Sequence, residues 1–353
     1  MSARRTGRPG RDPIRVLVVD DSLVAREMLK HILGSDAGIE VIGTATDGSE
    51  AVEMTAALRP DLVTMDIHMP RMDGIEATER IMAYTPTPVL VVSSSVYGEG
   101  VGRAFDALAY GALDVVLKPA PRDWAGLDDI ARDLVRRVQM LSQVRVITHV
   151  RGRSAGRRAS AARSEPRSGS VVAIGASTGG PSALREVLGG LPEGLPAPIL
   201  VAQHIADGFI PGLVEWLDGA CAIRVRVAED GCALVPGTAY LAPTGRDLRF
   251  DGGAARLADP AKGQVHAPSA DVLFESVVRS RGHDSVGVLL TGMGADGARG
   301  LRALRDAGAA TIAQDEATSV VFGMPRAAIE LGAAGRVLPL GDIAGAIAAL
   351  VTS

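Results

Sequence analysis

Short apolar runs alternate with amphipathic stretches along two separate parts of this chain of 353 residues. Between the apolar runs, apolar residues recur at intervals of three and one, which predicts helices with a single buried face. Regular alternation of strand and helix predicts parallel strands joined by right-handed crossovers, and therefore a doubly wound α/β sheet. In the first part of the chain, the predicted strands are Ile14–Val19, Ile39–Ala45, Leu62–Met65, Val89–Val92 and Val115–Leu117.

The composition changes near Val150. Residues 151–170 are rich in Arg, Ser, Ala and Gly and are poor in apolar residues, which is typical of a solvated linker. A nucleic-acid-binding arm is the less favoured alternative, because the basic residues have no aromatic neighbours to stack on bases. A second α/β block follows, with strands predicted at Val171–Ile174, Ile199–Ala202, Ala239–Leu241, Val286–Leu290 and Ala310–Ala313. The predicted boundaries are a disordered N-terminus at 1–13, a first domain at 14–145, a linker at 146–169 and a second domain at 170–353.

Composition argues against several classes of protein. The formal net charge of −4 gives no reason to expect nucleic acid or an anionic membrane as the main partner. Cys221 and Cys232 can form neither a metal cluster by themselves nor a disulfide framework, which favours a reducing compartment. Because no apolar run has the length of a signal peptide or a membrane span, we expect a cytoplasmic protein that does not insert into membranes.

Charged and hydroxyl side chains follow several strands of the first predicted sheet. Asp20 and Asp21 follow the first strand, Asp66 the third, Ser93 the fourth and Lys118 the fifth. The carboxyl ends of parallel strands form one crevice, where three carboxylates repel one another unless a cation such as Mg²⁺ lies among them. Asp66 could then accept a phosphoryl group whose oxygens are held by Lys118 and Ser93. The alternative, that Asp20 and Asp21 merely cap the next helix, does not explain all five positions.

In the second block, a serine, a histidine and an aspartate lie at the ends of predicted strands. Ser177 follows the first strand in a small-residue turn, His204 follows the second, and Asp296 lies in a glycine-rich loop after Val286–Leu290. A nucleophile, a base and an orienting acid require this kind of convergence. The turn alone could equally bind a phosphate. The chain order Ser, His, Asp separates the chain from the α/β-hydrolases, whose order is Ser, Asp or Glu, His.

Each of these residues also has a structural interpretation. Ser177 alone could cap a helix, His204 could be a half-buried core histidine, and Asp296 could form an Asx-turn. His266 competes for the role of base and Asp271 for that of acid. We interpret both competitors as structural residues or as part of the lining of a substrate groove, because His266 lies in a proline-rich connection.

The first third of the chain resembles the receiver domains of two-component response regulators. The resemblance rests on the strand-end residues, on the segment Met65–Pro70 and on the Asp73-Gly74 turn. It implies a flavodoxin-like fold and a position, occupied here by Val115, where many receivers have an aromatic residue. The roles that it implies are phosphorylation at Asp66, a Mg²⁺ site at Asp20, Asp21 and Asp66, and switch residues at Ser93 and Lys118.

The second block resembles the catalytic domain of the chemotaxis protein-glutamate methylesterases, and the resemblance implies a Rossmann-like fold. The matching segments are Gly175–Gly180, Gln203-His204, Ala242-Pro243, His266–Phe274, Thr291–Gly297 and Ala313–Pro325. The resemblance implies that Ser177 is the nucleophile, His204 the general base and Asp296 the orienting acid. Backbone N–H groups of Met293 and Thr178 would form the oxyanion hole.

Together the two resemblances imply a phosphorylation-activated enzyme that hydrolyses glutamate γ-methyl esters and deamidates glutamines on chemoreceptors. The implied partners are methyl-accepting chemoreceptors as substrates and a histidine kinase as phosphodonor. No cofactor is expected for the esterase reaction. The implied location is the cytoplasm, with recruitment to membrane receptor arrays left open. Two alternatives are a non-catalytic docking module that acts as a phosphate sink and a transcription regulator, although the latter would need a helix-turn-helix that the sequence does not contain.

Overall fold

The computed structural model describes residues 12–94, 101–119, 127–146 and 170–352, which divide into two compact units. Most of the predicted N-terminal segment and the predicted linker from residue 147 onward lie outside the described residues. The exact domain boundaries therefore remain predictions. Within the described residues, no helix is both long and apolar enough to cross a membrane.

The first part of the chain contains a parallel sheet with the strand order β2-β1-β3-β4-β5. This order and the alternating helices confirm the predicted flavodoxin-like fold. All five predicted strands are confirmed, the last two with one additional residue each. The described elements are β1 (Ile14–Val19), α1 (Leu23–Gly34), β2 (Ile39–Ala45), α2 (Gly48–Leu58), β3 (Leu62–Met65), α3 (Gly74–Tyr84), β4 (Val89–Ser93), α4 (Val101–Ala109), β5 (Asp114–Leu117) and α5 (Leu127–Leu141).

Burial of the central strands explains why the sequence shows continuous apolar runs rather than alternating ones. Val16–Val19 of β1 and all of β3 are buried, as expected for parallel strands with helices on both faces. Val19 of β1 lies opposite Met65 of β3. The next residues, Asp20 and Asp66, therefore leave the sheet side by side.

The second part of the chain contains a larger parallel sheet with the strand order β14-β13-β12-β6-β7-β9-β8. It confirms the second doubly wound α/β domain. Its elements are β6 (Val171–Ala176), α6 (Gly180–Gly189), β7 (Ile199–Gln203), α7 (Ile210–Asp218), β8 (Arg224–Val227), β9 (Thr238–Leu241), β10 (Asp247–Asp251), β11 (Ala254–Ala258), α8 (Ala270–Ser280), β12 (Ser285–Leu289), α9 (Ala298–Asp306), β13 (Ala310–Gln314), α10 (Met324–Glu330), β14 (Arg336–Leu338) and α11 (Leu340–Thr352).

Both sheets contain a point where the strand order reverses. In the first sheet, β1 lies between β2 and β3; in the second, β6 lies between β7 and β12. The loops that leave such neighbouring strands run in opposite directions and open a crevice at the carboxyl ends, which is where ligands bind in open α/β sheets. The residues after β1 and β3, and those after β6 and β12, therefore form the two candidate sites.

Candidate active site and phosphoacceptor pocket

Ser177 lies directly after β6, at the point where the second sheet reverses. Its backbone N–H donates to the carbonyl of Thr291 (3.0 Å), and its carbonyl accepts from the N–H of Gly180 (2.8 Å), the first residue of α6. Gly179 has a positive φ of 75°, and a side chain there would collide with Val320. This tight turn holds the buried Ser177 beside the start of a helix, whose dipole favours negative charge.

His204 leaves the neighbouring strand at the same level of the sheet. Ala176 of β6 lies opposite Gln203 of β7, and the N–H of His204 donates to the carbonyl of Ala176 (2.9 Å). The side-chain amide of Gln203 donates both to the carbonyl of Ser177 (2.8 Å) and to the carbonyl of His204 (2.9 Å). Gln203 is almost fully buried, so one buried amide group joins the backbones of the nucleophile and base candidates.

The two ring nitrogens of His204 have different surroundings. Nε2 lies 2.8 Å from the Asp296 carboxylate, whereas Nδ1 is buried and has no hydrogen-bond partner among the described residues. If Nε2 carries the proton that Asp296 accepts, Nδ1 is the basic nitrogen of the neutral ring. The face of the ring stacks on His266, with 4.3 Å between centroids and 12° between planes.

Asp296 follows β12 and is held by donors at the start of α8. Its carboxylate accepts from the hydroxyl of Ser269 (2.8 Å), the N–H of Ala270 (2.7 Å) and the N–H of Asp271 (3.2 Å). Burial alone would raise the pKa of Asp296, but the hydrogen bond and charge of His204, with the Ala270 and Ser269 donors, lower it to about 2. The carboxylate is therefore ionised at neutral pH, as the partner of a catalytic histidine must be.

The loop that contains Met293 packs directly against the nucleophile turn. A Cβ atom at Gly292 would lie 2.7 Å from the Cβ of Ser177, so only glycine allows this approach. The hydroxyl of Thr291 donates to the carbonyl of Thr178 (3.0 Å), which joins the two loops. The side chain of Gln314, the last residue of β13, accepts from the N–H of Thr291 (2.7 Å). These contacts place the residues before Met293 beside Ser177.

The two competitors suggested by the sequence have different positions. The Asp271 side chain contacts α9: its carboxylate accepts from the N–H of Gly300 (2.8 Å) and from Arg299 (3.0 Å). Asp271 therefore packs α8 against α9. His266, in contrast, lies in the site against the ring of His204. Sequence reasoning selected neither Gln203 nor Ser269 as a functional residue, although both hold the predicted triad.

The pocket of the first sheet contains all the predicted acidic residues. One carboxylate oxygen from each of Asp20, Asp21 and Asp66 lies within 4.8 Å of those of the other two. Lys118 Nζ lies 2.7 Å from Asp20 Oδ2 and 3.0 Å from Asp66 Oδ2. Three carboxylates and one ammonium group leave an excess of negative charge, so the set of oxygen donors fits Mg²⁺.

The charges in this pocket perturb one another. Burial raises the pKa of Asp66, the charge of Asp20 raises it further, and Lys118 opposes both effects. For Lys118, burial acts to lower the pKa, but the hydrogen bond and charge of Asp20 together with Asp66 raise it. The lysine is therefore held in its charged form, and the Asp66 carboxylate is destabilised until a further cation reaches it.

The remaining predicted pocket residues lie on the adjacent strands. Ser93 is the last residue of β4 and is fully buried, and its carbonyl accepts from the N–H of Lys118 (2.9 Å). Gly74, at the start of α3, packs so close to the carbonyl of Asp66 that a side chain would clash with it. Val115, at the position where receivers often have an aromatic residue, is buried in β5 opposite Val91.

The two folds and their sites define a protein in which a response-regulator receiver is joined to a hydrolase domain built on a doubly wound parallel sheet. The family model described as response regulator receiver domain matches residues 16–124, and the one described as CheB methylesterase matches residues 172–347. The chain belongs to the CheB methylesterase family and is a hydrolase of that family.

Known proteins resemble the chain along nearly all of its length. Protein-glutamate methylesterase/protein-glutamine glutaminase 2 of Anaeromyxobacter dehalogenans (strain 2CP-C) is 50% identical, over 95% of this chain and 96% of that protein. Protein-glutamate methylesterase/protein-glutamine glutaminase 1 of Syntrophus aciditrophicus (strain SB) is 46% identical, over 96% and 99% respectively. The crystal structure of the Thermotoga maritima CheB methylesterase catalytic domain matches with a TM-score of 0.50 and 38% identity, over 52% of this chain and 100% of that one.

Proposed function

We propose that the chain hydrolyses glutamate γ-methyl esters, and deamidates glutamines, on methyl-accepting chemoreceptors through Ser177, His204 and Asp296. The names of its relatives supply the reaction class. The observation that carries the residue assignment is the hydrogen bond of 2.8 Å between His204 and the ionised Asp296, beside the Ser177 turn. This arrangement serves proton transfer between a hydroxyl and an acyl substrate.

In the acylation step, His204 Nδ1 accepts the proton of the Ser177 hydroxyl as the oxygen attacks the ester carbonyl. Asp296, which accepts from Nε2–H, stabilises the resulting imidazolium. The N–H groups of Met293 and Thr178 bind the tetrahedral oxyanion, an effect worth about 3 kcal/mol per donor. The imidazolium then protonates the leaving group, so methanol departs from an ester and ammonia from an amide.

In the deacylation step, His204 takes a proton from a water molecule that attacks the acyl-enzyme carbonyl. Collapse of the second tetrahedral intermediate returns the proton to Ser177 and releases the glutamate side chain. Every group needed in both steps belongs to the chain or to water.

The receiver is proposed to control this reaction through a phosphoryl group on Asp66, taken from the histidine kinase of the chemosensory system. Asp20, Asp21 and Asp66 would hold Mg²⁺, which neutralises charge on the incoming phosphoryl group. Lys118 and Ser93 would bind the phosphoryl oxygens. The added charge would shift an equilibrium between a less active and a more active conformation of the protein toward the more active one, and so raise the esterase activity. The cytoplasm, with recruitment to membrane receptor arrays, is part of this proposal.

Methanol release from a methylated receptor fragment tests the proposal. We expect release by the wild type, at a higher rate with acetyl phosphate and Mg²⁺, and none above background by Ser177→Ala. Asp66→Asn should keep the basal rate and lose the response to acetyl phosphate. An active Ser177→Ala would remove Ser177 as the nucleophile. A wild type inactive on every methylated receptor fragment would favour a docking module that acts as a phosphate sink.

A further inference from the structure

We propose that His266 is a positioning residue that holds the imidazole ring of His204 in the plane required for proton transfer. This inference rests on the proposed function, because it concerns the base of that reaction. The observation behind it is the stacked pair of rings, 4.3 Å between centroids and 12° between planes. This geometry presents the π face of His266, and not a ring nitrogen, to His204.

The stacking supplies a restraint that the hydrogen bonds of His204 leave out. Among the described residues, the ring has one hydrogen bond, from Nε2 to Asp296, while Nδ1 has none. A single contact at the edge of a ring allows the opposite edge to swing about it. A flat group against the ring face opposes that swing and so keeps Nδ1 directed at its reaction partner.

His266 is itself fixed to the element that holds Asp296. Its carbonyl accepts from the side chain of Gln264 (2.6 Å), which also donates to Asp247 (2.8 Å). The fully buried Asp247 in turn accepts from the N–H of Ser269 (3.0 Å), and the hydroxyl of Ser269 donates to Asp296. The stacked ring and the carboxylate that orient His204 therefore share one anchor, the N-terminus of α8.

Stacking also suits the charge that His204 acquires during the reaction. When Nδ1 accepts the proton of Ser177, the ring of His204 becomes a cation. Asp296 then lies at the edge of this cation, and the ring of His266 lies against its face. Aromatic faces attract cations, most strongly where water is excluded. A phenyl ring at position 266 could supply the same face, whereas an aliphatic side chain of similar size could not.

This difference gives a direct test with the full-length chain. We expect His266→Leu to lower kcat for methanol release by roughly tenfold to a hundredfold with KM within about twofold, since a displacement of about 1 Å can have such an effect. His266→Phe should stay within about threefold of the wild type. His283→Ala removes an exposed histidine elsewhere in the same domain and should change nothing.

A second readout does not depend on the receptor substrate. The rate at which phenylmethylsulfonyl fluoride modifies Ser177 reports activation of the nucleophile by His204. We expect His266→Leu to slow this modification by the same factor as kcat, and His266→Phe to leave it nearly unchanged. If the wild type releases no methanol but is modified in a Ser177-dependent way, the proposed substrate is wrong while His266 is still tested.

Three results would overturn the inference. If His266→Phe is as defective as His266→Leu, a ring nitrogen is needed, and stacking is not the role of the residue. If both variants raise KM and keep kcat, His266 contacts the substrate. If His266→Leu behaves like the wild type, the stack does not contribute. If the leucine variant fails to fold, His266→Met takes its place as the variant without an aromatic face, and a phenylalanine variant with a low kcat still overturns the inference.

Discussion

Asp66 and Asp296 occupy equivalent places in two different sheets, yet their surroundings are opposite. Each follows a strand at the point where the strand order reverses. Asp66 shares its pocket with two more carboxylates and one lysine, and burial raises its pKa. Asp296 lies among hydroxyl and backbone N–H donors and a histidine, which lower its pKa to about 2 despite burial.

The difference shows that position in the sheet determines where a site lies, while the donors in the loops determine its chemistry. A carboxylate that receives hydrogen bonds from a helix N-terminus is stable as an anion and can orient a base. A carboxylate crowded by other carboxylates is stabilised by a cation and can act as a phosphoryl acceptor.

The largest effect is expected from Asp296→Asn. An amide at this position cannot stabilise the imidazolium and can hold His204 in the wrong tautomer, which typically lowers kcat by about 10⁴-fold. Steady-state methanol release is the measurement. Asp271→Asn is the matched control, because Asp271 is a nearby buried carboxylate directed at α9 and should affect kcat far less. Equal losses in the two variants would contradict the assignment of Asp296.

A smaller loss of activity is expected from Gln203→Met, which keeps the volume of the side chain and removes its two donors. The carbonyls of Ser177 and His204 would lose their common partner, and the two residues could then move relative to each other. We expect kcat to fall roughly tenfold to a hundredfold, since small displacements of catalytic groups are that costly. KM should not change.

Gln143→Met, an exposed glutamine-to-methionine change in the first domain, serves as the control for Gln203→Met. The melting temperature of Gln203→Met separates a positioning effect from general loss of folding. A variant that keeps its full kcat would show that the strand pairing of β6 with β7 is sufficient to position the two residues.

The positions of most residues of the two sites could be predicted from the sequence. The rule that side chains after parallel strands converge identified Asp20, Asp66 and Lys118 in one pocket and His204 with Asp296 in the other. It succeeded because the central strands are buried on both faces and therefore appear as continuous apolar runs.

The residues and strands that the sequence did not reveal depend on tertiary contacts or have weak local signals. Gln203 is a strand residue whose role follows only from its reach across to Ser177, and Ser269 acts through a loop 27 residues away. The strand β8 is a short edge strand with alternating Arg and Val, too brief for a clear pattern. The hairpin of β10 and β11 had a usable signal, because Gly252 and Gly253, with φ of 59° and 102°, form a Gly-Gly turn.

Stability measurements should reveal the same contrast between the two carboxylates. The pKa of Asp296 is lower in the folded chain than its ordinary value of 3.8, so its stabilising effect is present above about pH 4 and is lost as pH falls toward about 2. At pH 7, Asp296→Asn should lower the free energy of unfolding of its domain by about 2 kcal/mol. That loss should persist at pH 4.5.

Asp66→Asn should behave in the opposite way when no Mg²⁺ is present. Because burial raises the pKa of Asp66, its ionised form destabilises the fold, and the variant should be more stable than the wild type at pH 7. This gain should shrink as pH falls through the raised pKa, since the wild-type carboxyl group then becomes protonated. Hydrogen exchange of the β3 and β12 segments measures each domain separately. A loss of stability in both variants at pH 7 would contradict the comparison.

The smallest effect concerns removal of Mg²⁺ by a chelator. A ligand that binds only the folded state stabilises it by RT ln(1 + [L]/Kd), which is about 1.4 kcal/mol at ten times Kd. Hydrogen exchange in β3 should therefore slow when Mg²⁺ is added and return to its original rate with excess chelator.

Asp21→Asn removes one exposed ligand candidate and should shift this response to higher Mg²⁺ concentrations. A protection that Na⁺ produces equally well at the same ionic strength would indicate charge screening rather than a site. Direct contact between the pocket and the ion predicts instead a much stronger effect of the divalent cation, because the three close carboxylates ligate Mg²⁺ through their oxygens.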